Sequence, residues 1–370
     1  MEFTISKNAL QKELGFVQGT VEKKNTIPAL SNILIESVGE NTIRITGTDL
    51  DVTLRCEAEA EIKTPGSMCV GARILFEIAR VLPDAPVSFF KEENNWATVK
   101  CERSNFKIAG IDCESFPEVP SFKTAPVKFP ASIFKTFIDR TIFAITLEES
   151  RYTLSGAKFI LNKSGVKMIT TDGHRLAYVE RKELETGAHK EEMDVLIPRK
   201  TLAELTKLTA SYEGEISLGA DENHIYFEVG PRLLISRTLT GQFPNYEMVI
   251  PKSNDKKAEF DSASLGQAIR RVALMADDRS HSIRFQLTPG SLQISSQTAE
   301  EGEAREIVTT EYQGEEVEIG FNAAYLQEFL NVVSDGMVSF EFKDGNSQAQ
   351  LRPVSDDGYD YRYIVMPMRL

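Results

Sequence analysis

Apolar residues recur every three or four positions in six stretches of the chain, which is the spacing of one face of an α-helix. The stretches come in pairs and predict two helices in each third of the chain. In chain order they are Leu10, Leu14, Val17 and Val21; Ile74, Ile78 and Leu82; Ile133, Phe137, Ile138 and Ile142; Leu202, Leu205 and Leu208; Leu265, Ile269 and Val272; Leu326, Phe329, Leu330 and Val333. Ser132 and Ser262 are the predicted N-caps of the third and fifth helices.

Between these stretches apolar and polar residues alternate with period two, which predicts β-strands. Examples are TIRITGT, NFKIAGI, KFILN, HIYFEV and VSFEF. The pairs Asn94-Asn95, Ser164-Gly165 and Asp344-Gly345 are turn signals. Runs of strands interrupted by pairs of helices predict the α+β class, with helices packed on one face of antiparallel sheets.

Three sequence markers recur in the same order at nearly one period, which indicates three copies of one domain. The segments that begin at Phe116, Phe243 and Met366 are 127 and 123 residues apart. Those that begin at Val70, Ile197 and Ile319 are 127 and 122 apart, and those at Phe3, Phe129 and Phe260 are 126 and 131 apart. The expected domains are 1–122, 127–251 and 256–370, separated by the polar segments KTAP and KSNDKK.

The composition is that of a globular protein, because 41% of the 370 residues are apolar and 26% are charged. The chain has no run of 18 apolar residues and no basic-then-apolar leader, so we expect neither a membrane span nor a secretory signal. The cysteines Cys56, Cys69, Cys101 and Cys113 have no paired spacing and are expected to be free thiols. These features predict a cytoplasmic location.

The net charge of −13 argues against a nucleic-acid binder, but its distribution changes that interpretation. The six predicted helical windows together carry +8, and the rest of the chain carries −21. One hypothesis is a basic face within an acidic shell; the other is that Lys and Arg are simply good helix formers.

The expected size of the domains bears on the choice between these two hypotheses. A domain of about 123 residues has a radius of gyration of roughly 14 Å, and three touching domains leave almost no gap. Six in a ring leave a hole of about 18 Å radius. Two chains arranged head to tail could therefore surround a duplex, which one chain could not do.

Motifs for catalysis and cofactor binding are weak or absent in the sequence. Asp49 and Asp51 are too few ligands for a metal site, the four histidines form no spaced pair, and no nucleophile elbow, P-loop or dinucleotide motif occurs. We therefore expect no catalytic residue, no metal and no cofactor. One alternative is a hydrolase that uses Asp172 and His174. Another is a repeat scaffold that binds peptides without encircling DNA.

Several motifs together resemble the bacterial DNA polymerase III beta subunit family, the sliding clamps. They are GTDLDV at 47–52, TDGHRLA at 171–177, IPRK at 197–200, GQFPNY at 241–246, IGFNAAYL at 319–326 and VMPMRL at 365–370. The resemblance implies a non-catalytic, head-to-tail homodimeric ring of six similar domains with helices facing the hole. It implies a processivity factor that encircles double-stranded DNA without sequence preference. Its implied protein partners are the clamp loader, the replicative DNA polymerase and other replication and repair proteins.

The resemblance also implies three sets of site residues. The DNA-facing set is Lys12, Lys24, Arg73, Arg151, Tyr152, Arg199 and Lys200. The set expected to bind partner peptides is Leu154, Thr171, Gly173, His174, Arg175, Leu176, Pro244, Met248, Val249, Asn322, Tyr325, Val365, Met366, Pro367, Met368 and Arg369. The set expected at the dimer junction is Arg103, Phe106, Lys107, Ile108, Leu274, Met275, Glu300, Glu301 and Glu303.

Some positions depart from the family pattern. Thr153 follows Tyr152 where a second Tyr is often found, and Met248 stands where an Arg is frequent. Ser280 replaces a frequent aromatic residue, and Asn105 replaces a frequent basic residue at the junction. Thr153 argues against stacking of single strands at Tyr152, Met248 and Ser280 predict a different partner preference, and Asn105 predicts a thinner polar seam.

Overall fold

A computed structural model describes residues 1–21, 27–121, 127–148, 150–182, 192–298, 302–355 and 357–369. These residues form six α-helices and 26 strands. The helices are α1 (Lys7–Val17), α2 (Ala72–Val81), α3 (Ala131–Thr141), α4 (Arg199–Thr209), α5 (Ser262–Val272) and α6 (Ala323–Val332). Within this part of the chain no helix is long and apolar enough to cross a membrane.

The strands occupy most of the remaining sequence. The first thirteen are β1 (Glu2–Ser6), β2 (Asn32–Val38), β3 (Thr42–Thr48), β4 (Val52–Glu59), β5 (Glu61–Thr64), β6 (Ser67–Gly71), β7 (Pro86–Lys91), β8 (Ala97–Cys101), β9 (Ser104–Ile108), β10 (Gly110–Ile111), β11 (Val127–Pro130), β12 (Gly156–Asn162) and β13 (Gly165–Thr171). The others are β14 (Arg175–Arg181), β15 (Met193–Pro198), β16 (Glu215–Ala220), β17 (His224–Val229), β18 (Arg232–Arg237), β19 (Lys256–Asp261), β20 (Ser282–Thr288), β21 (Ser291–Thr298), β22 (Gly302–Thr309), β23 (Val317–Asn322), β24 (Met337–Phe342), β25 (Ala349–Pro353) and β26 (Asp360–Val365).

The chain divides into two compact units, one formed by 1–135 and 200–238 and the other by 136–199 and 239–370. The first unit contains a nine-stranded sheet in the order β10-β6-β2-β3-β4-β18-β17-β16-β11 and a five-stranded sheet in the order β5-β1-β7-β8-β9. The second contains an eight-stranded sheet in the order β15-β12-β13-β14-β26-β25-β24-β19 and a four-stranded sheet in the order β22-β21-β20-β23. The strand pairs within the described residues are antiparallel, which confirms the predicted α+β class.

The apolar stripes predicted from the sequence mostly face the cores. Leu10, Leu14 and Val17 of α1 are buried, as are all three predicted leucines of α4. The prediction for α2 is wrong at one position, because Ile74 is 52% exposed and Leu75 is fully buried instead. Helical spacing allows either residue, and only the packing of α2 selects between them.

The two N-cap predictions are also wrong, because Ser132 and Ser262 both lie within their helices. Asp261 caps α5 by accepting from the Ser264 N–H at 2.8 Å. Ser262 is the first helical residue, and its buried hydroxyl donates to the carbonyl of Val333. Ser132 lies inside α3, which begins at Ala131.

Candidate functional site

A cavity of about 230 Å³ opens on the second unit beside the paired ends of β14 and β26. Its lining residues are Leu154, Thr171, Gly173, His174, Arg175, Leu176, Pro244, Tyr246, Val249, Ile364 and Met366. Leu176 and Ile364 lie directly opposite each other across the two strands and belong to a buried apolar cluster with Phe243. The cavity therefore has an apolar floor backed by the core, a surface that binds apolar side chains.

One rim of the cavity is a tight turn between β13 and β14. The Thr171 hydroxyl accepts from Gly173 N–H at 3.0 Å and donates to the Arg175 carbonyl at 2.5 Å. Asp172 Oδ1 accepts from the N–H groups of His174 and Arg175 at 2.9 and 3.0 Å. Gly173 has φ +90°, a conformation that favours glycine. The turn leaves His174 exposed at the mouth of the cavity.

The guanidinium of Arg175 is held inside the wall by contacts on several sides. Its Nε donates to Asp172 Oδ2 at 3.0 Å, its Nη2 donates to the Phe143 carbonyl at 2.7 Å, and its Nη1 pairs with Glu328. The group lies 4.3 Å from the ring centroid of Tyr325. Because Arg175 is only 7% exposed and each of its three nitrogens already donates to a partner within the protein, it shapes the wall and is not available to a partner's carboxylate.

The opposite rim is formed by the C-terminal segment and by the loop around residue 246. Met366 N–H donates to the His174 carbonyl at 2.9 Å, and Met368 N–H donates to the Gly320 carbonyl at 2.8 Å. These bonds hold the flexible Met366 side chain at the cavity. Burial, and then the neighbouring Glu247 carboxylate, raise the pKa of Tyr246, so its hydroxyl is neutral at physiological pH.

The structure brings nine of the sixteen predicted peptide-binding residues to this cavity: Leu154, Thr171, Gly173, His174, Arg175, Leu176, Pro244, Val249 and Met366. The other seven do not line it. Met248 is 79% exposed beside Val249, and Val365 is fully buried on the opposite face of β26 from Ile364.

The remaining five lie outside the lining of this cavity. Asn322 caps α6 and donates to the Ser280 carbonyl at 3.1 Å, and Tyr325 lies against Arg175. Pro367 and Met368 are half-buried, and exposed Arg369 lines a separate, larger cavity of about 760 Å³.

Sequence reasoning missed two lining residues, Tyr246 and Ile364. Tyr246 closes the GQFPNY run, and Ile364 directly precedes VMPMRL, so both were within one residue of recognised motifs. Strand parity was the signal for Ile364, because a strand that buries Val365 on one face turns Ile364 to the other.

Asp172 and His174 do not form a catalytic pair in this turn. Asp172 Oδ1 accepts the backbone N–H of His174, and its Oδ2 is bound by Arg175. Asp49 has the same structural role in the first unit, where its Oδ1 accepts from the N–H groups of Asp51 and Val52 at 3.0 and 2.6 Å. Within the described residues, no group of three or more His, Cys, Asp and Glu side chains could hold a metal.

The predicted DNA-facing residues differ in their exposure to solvent and in whether they form ion pairs. Lys12 on α1 and Arg73 on α2 are exposed and, within the described ranges, form no ion pair. Lys200 pairs with Asp49, and Arg151 pairs with Glu148 at 3.0 Å.

Arg151 also donates to the Asp172 carbonyl at 2.8 Å. Tyr152 beside it is 52% exposed, whereas Arg199 is half-buried at the start of α4. Lys24 lies outside the described residues.

The predicted junction residues lie at two sheet edges. Within the described residues β9 pairs only with β8, and β22 pairs only with β21, so each leaves one edge open. Phe106 and Ile108 share one face of β9, half-buried and 7% exposed respectively.

In the second unit Leu274 is 74% exposed and Met275 is half-buried, beside β22. Arg103 is exposed, Lys107 pairs with Glu92, and Glu303 pairs with Arg305 at 3.3 Å. Glu300 and Glu301 lie outside the described residues.

Family models and related structures match the chain from end to end. Residues 1–120, 128–245 and 247–369 match the N-terminal, central and C-terminal domains of the DNA polymerase III beta subunit. The beta sliding clamp of Pseudomonas putida KT2440 is 35% identical, with 100% of both chains covered. The crystal structure of the Pseudomonas aeruginosa clamp bound to griselimycin has a TM-score of 0.94 at 35% identity, and a Caulobacter crescentus clamp has 0.92 at 35%; both comparisons cover 100% of each chain.

Three α+β domains in one chain, matched in order by the three domain models, together with an apolar cavity on the second unit, define a clamp-type accessory protein. The chain belongs to the DNA polymerase III beta subunit family, the bacterial sliding clamps. Members of this family are non-catalytic processivity factors of DNA replication, and that is the function of this protein.

Proposed function

We propose that two copies of this chain form a head-to-tail ring around duplex DNA and tether the replicative polymerase through the 230 Å³ cavity. The main support for this proposal is the cavity itself, because its apolar floor and the flexible Met366 side chain suit short peptides with Leu and aromatic anchors. Burying two or three such side chains contributes about 1.5–3 kcal/mol each. After the costs of association, affinities on the order of micromolar follow, which allow partners to exchange.

The open edges of β9 and β22 support the proposed ring. An unpaired strand edge is a template for pairing with another chain, and a natural protein normally covers or blunts it. Joining β9 of one protomer to β22 of the next would pair both edges and cover Phe106 and Leu274. A ring of two chains closed by two such identical junctions has two-fold symmetry.

The proposed DNA contacts rest mainly on Lys12 and Arg73, whose charges are exposed and unpaired within the described ranges. Lys200 and Arg151 contribute less, because Asp49 and Glu148 already neutralise them. Arg199, Tyr152 and Lys24 remain members of the proposed set. A few phosphate contacts attract the duplex without fixing a register, which is what sliding requires.

The proposed partners are double-stranded DNA, the clamp loader, the replicative polymerase and other proteins with apolar clamp-binding peptides. The proposed location is the cytoplasm, where a bacterial chromosome is replicated. The proposed domain bounds are 1–122, 127–251 and 256–370, close to the ranges of the three family models.

Retention on DNA of different topology tests the ring. Protein loaded on a nicked circle should stay bound in high salt and should leave once the circle is linearised, because only threading resists salt. Equal release from circular and linear DNA would contradict encirclement and support a peptide-binding scaffold.

Peptide binding is tested separately by fluorescence anisotropy. A labelled peptide with Leu and Phe anchors should bind with micromolar affinity, and His174→Ala should weaken it. Unchanged binding by His174→Ala, or no binding by the wild type, would contradict the proposed use of the cavity.

A further inference from the structure

A further cavity, in the first unit, is lined by three arginines and has no role in the proposed function. It has a volume of about 210 Å³ and lies where β4 pairs with β18. Its lining residues are Arg44, Arg55, Glu57, Glu228, Gly230, Pro231, Arg232 and Leu233.

Two of the three guanidinium groups have carboxylate partners. Arg44 donates from Nε and Nη2 to Glu57 Oε1 at 3.1 and 2.8 Å. Arg232 donates to both oxygens of Glu13 at 2.7 and 2.5 Å, and each of these two side chains is 7% exposed.

The third guanidinium, that of Arg55, has no such partner. Within the described residues Arg55 forms no ion pair, and its buried Nε has no hydrogen-bond acceptor. Thr46, the residue directly opposite on β3, is 1% exposed, and its hydroxyl also has no partner there. A buried donor without an acceptor is costly, so Arg55 Nε offers an unsatisfied donor at the cavity, whereas Thr46 lies opposite Arg55 without lining the cavity.

The electrostatic environment of Arg55 favours an anion as its partner. Burial first, and then the positive charge of Arg44, lower the pKa of Arg55; Glu36 and Glu57 act in the opposite direction but do not compensate. An anion at the cavity would stabilise the charged guanidinium. The planar fork of Arg matches the paired oxygens of phosphate and carboxylate groups.

We propose that this cavity is an anion site in which Arg55, supported by Arg44, binds a phosphate group at the junction of β4 and β18. Phosphate is favoured over a carboxylate because a dianion interacts more strongly with two neighbouring guanidinium groups. The exposed carboxylate of Glu228 on the cavity wall opposes binding and keeps the site weak. Since β4 and β18 belong to the ranges matched by different domains, a bound phosphate bridges the N-terminal and central domains.

The test is a titration of the full-length protein with sodium phosphate at constant ionic strength, followed by ¹H–¹⁵N spectra of the arginine Nε–H groups. The Arg55 signal is the one that disappears in Arg55→Gln. We expect this signal to shift saturably as Nε gains an acceptor. Glu228→Gln should tighten binding roughly threefold by removing a nearby like charge. Arg237→Gln, at the far end of β18 and outside the cavity, should leave the affinity unchanged.

Two further ligands test whether the bound phosphate comes from a nucleic acid and whether a carboxylate binds equally well. A short 5′-phosphorylated oligonucleotide that shifts the Arg55 signal at lower concentration than inorganic phosphate would support the site and identify a nucleic-acid phosphate. Acetate as effective as phosphate would overturn the choice of phosphate. An Arg55 signal that no anion moves would overturn the site and leave a bridging water between Thr46 and Arg55 as the explanation.

Discussion

Adjacent residues of β26 separate a binding role from a structural role. Ile364 lines the peptide cavity, whereas Val365 points to the opposite face, and both are fully buried. Ile364→Ala should weaken an apolar peptide about fivefold to tenfold, because the cavity floor loses contact area. Val365→Ala should leave peptide affinity unchanged, although both variants lower the free energy of unfolding. Fluorescence anisotropy with one labelled peptide compares them, and equal loss of affinity would contradict the assignment.

The same pair shows where sequence reasoning stops at the level of residues. The family motif located the C-terminal wall of the cavity to within one residue, because it includes Val365 and Met366 but not Ile364, which lines the cavity. A similar one-residue displacement affected Ile74 and Leu75 on α2. An apolar side chain is compatible with either face in both cases. The pairing of β26 with β14, and the packing of α2, are tertiary facts that select the face.

Some of the cationic residues proposed to attract DNA form ion pairs within the protein, and others do not. The double change Lys12→Ala with Arg73→Ala should reduce the slope of log affinity against log salt for linear duplex by about 0.9 per lost phosphate contact. Lys200→Ala should change it less, since Asp49 already neutralises that ammonium. Anisotropy titrations between 50 and 200 mM salt measure the slopes. A larger effect of Lys200→Ala would show that the pair with Asp49 opens to bind DNA.

At the scale of elements, the same turn occurs between β3 and β4 and again between β13 and β14. In β3–β4, Thr48 accepts from the Leu50 N–H, and Asp49 accepts from the next two N–H groups. Thr171 and Asp172 make the equivalent bonds in β13–β14. Both turns begin with the same Thr-Asp pair, in the motifs GTDLDV and TDGHRLA. The motifs do not show that Leu50, at φ 80°, adopts the left-handed conformation of Gly173.

The helix α1 is tied to β18 by the buried ion pair of Glu13 and Arg232. Glu13→Gln should lower the free energy of unfolding by about 3 kcal/mol or more, because it leaves a buried guanidinium uncompensated. The double change Glu13→Leu with Arg232→Leu should cost much less, since neither charge is then buried. Urea denaturation of the three proteins provides the comparison. A double variant at least as unstable as Glu13→Gln would mean that the pair itself stabilises the fold.

At the scale of the whole molecule, the repeat and the compact units divide the chain differently. The period of about 125 residues predicts three domains, and three family models match. The strands of the central domain are nevertheless shared between two sheets, because β18 pairs with β4 and β14 pairs with β26. A repeat identifies equivalent segments, but it carries no signal for which edge strands of neighbouring repeats join.

At the scale of assembly, the open edge of β9 is the expected site of contact with a second protomer. Phe106 is half-buried on this edge strand, and Leu274 is exposed beside the other open edge at β22. If these edges join, Phe106→Ala removes a large apolar contact from the interface, where buried aromatic residues contribute about 2 kcal/mol or more. The dimer dissociation constant should then rise about thirtyfold or more, which equilibrium sedimentation measures. Phe90→Ala is the matched control, because Phe90 is an exposed phenylalanine of the same sheet on the inner strand β7. An unchanged dimer in Phe106→Ala, or equal weakening in both variants, would place the junction elsewhere.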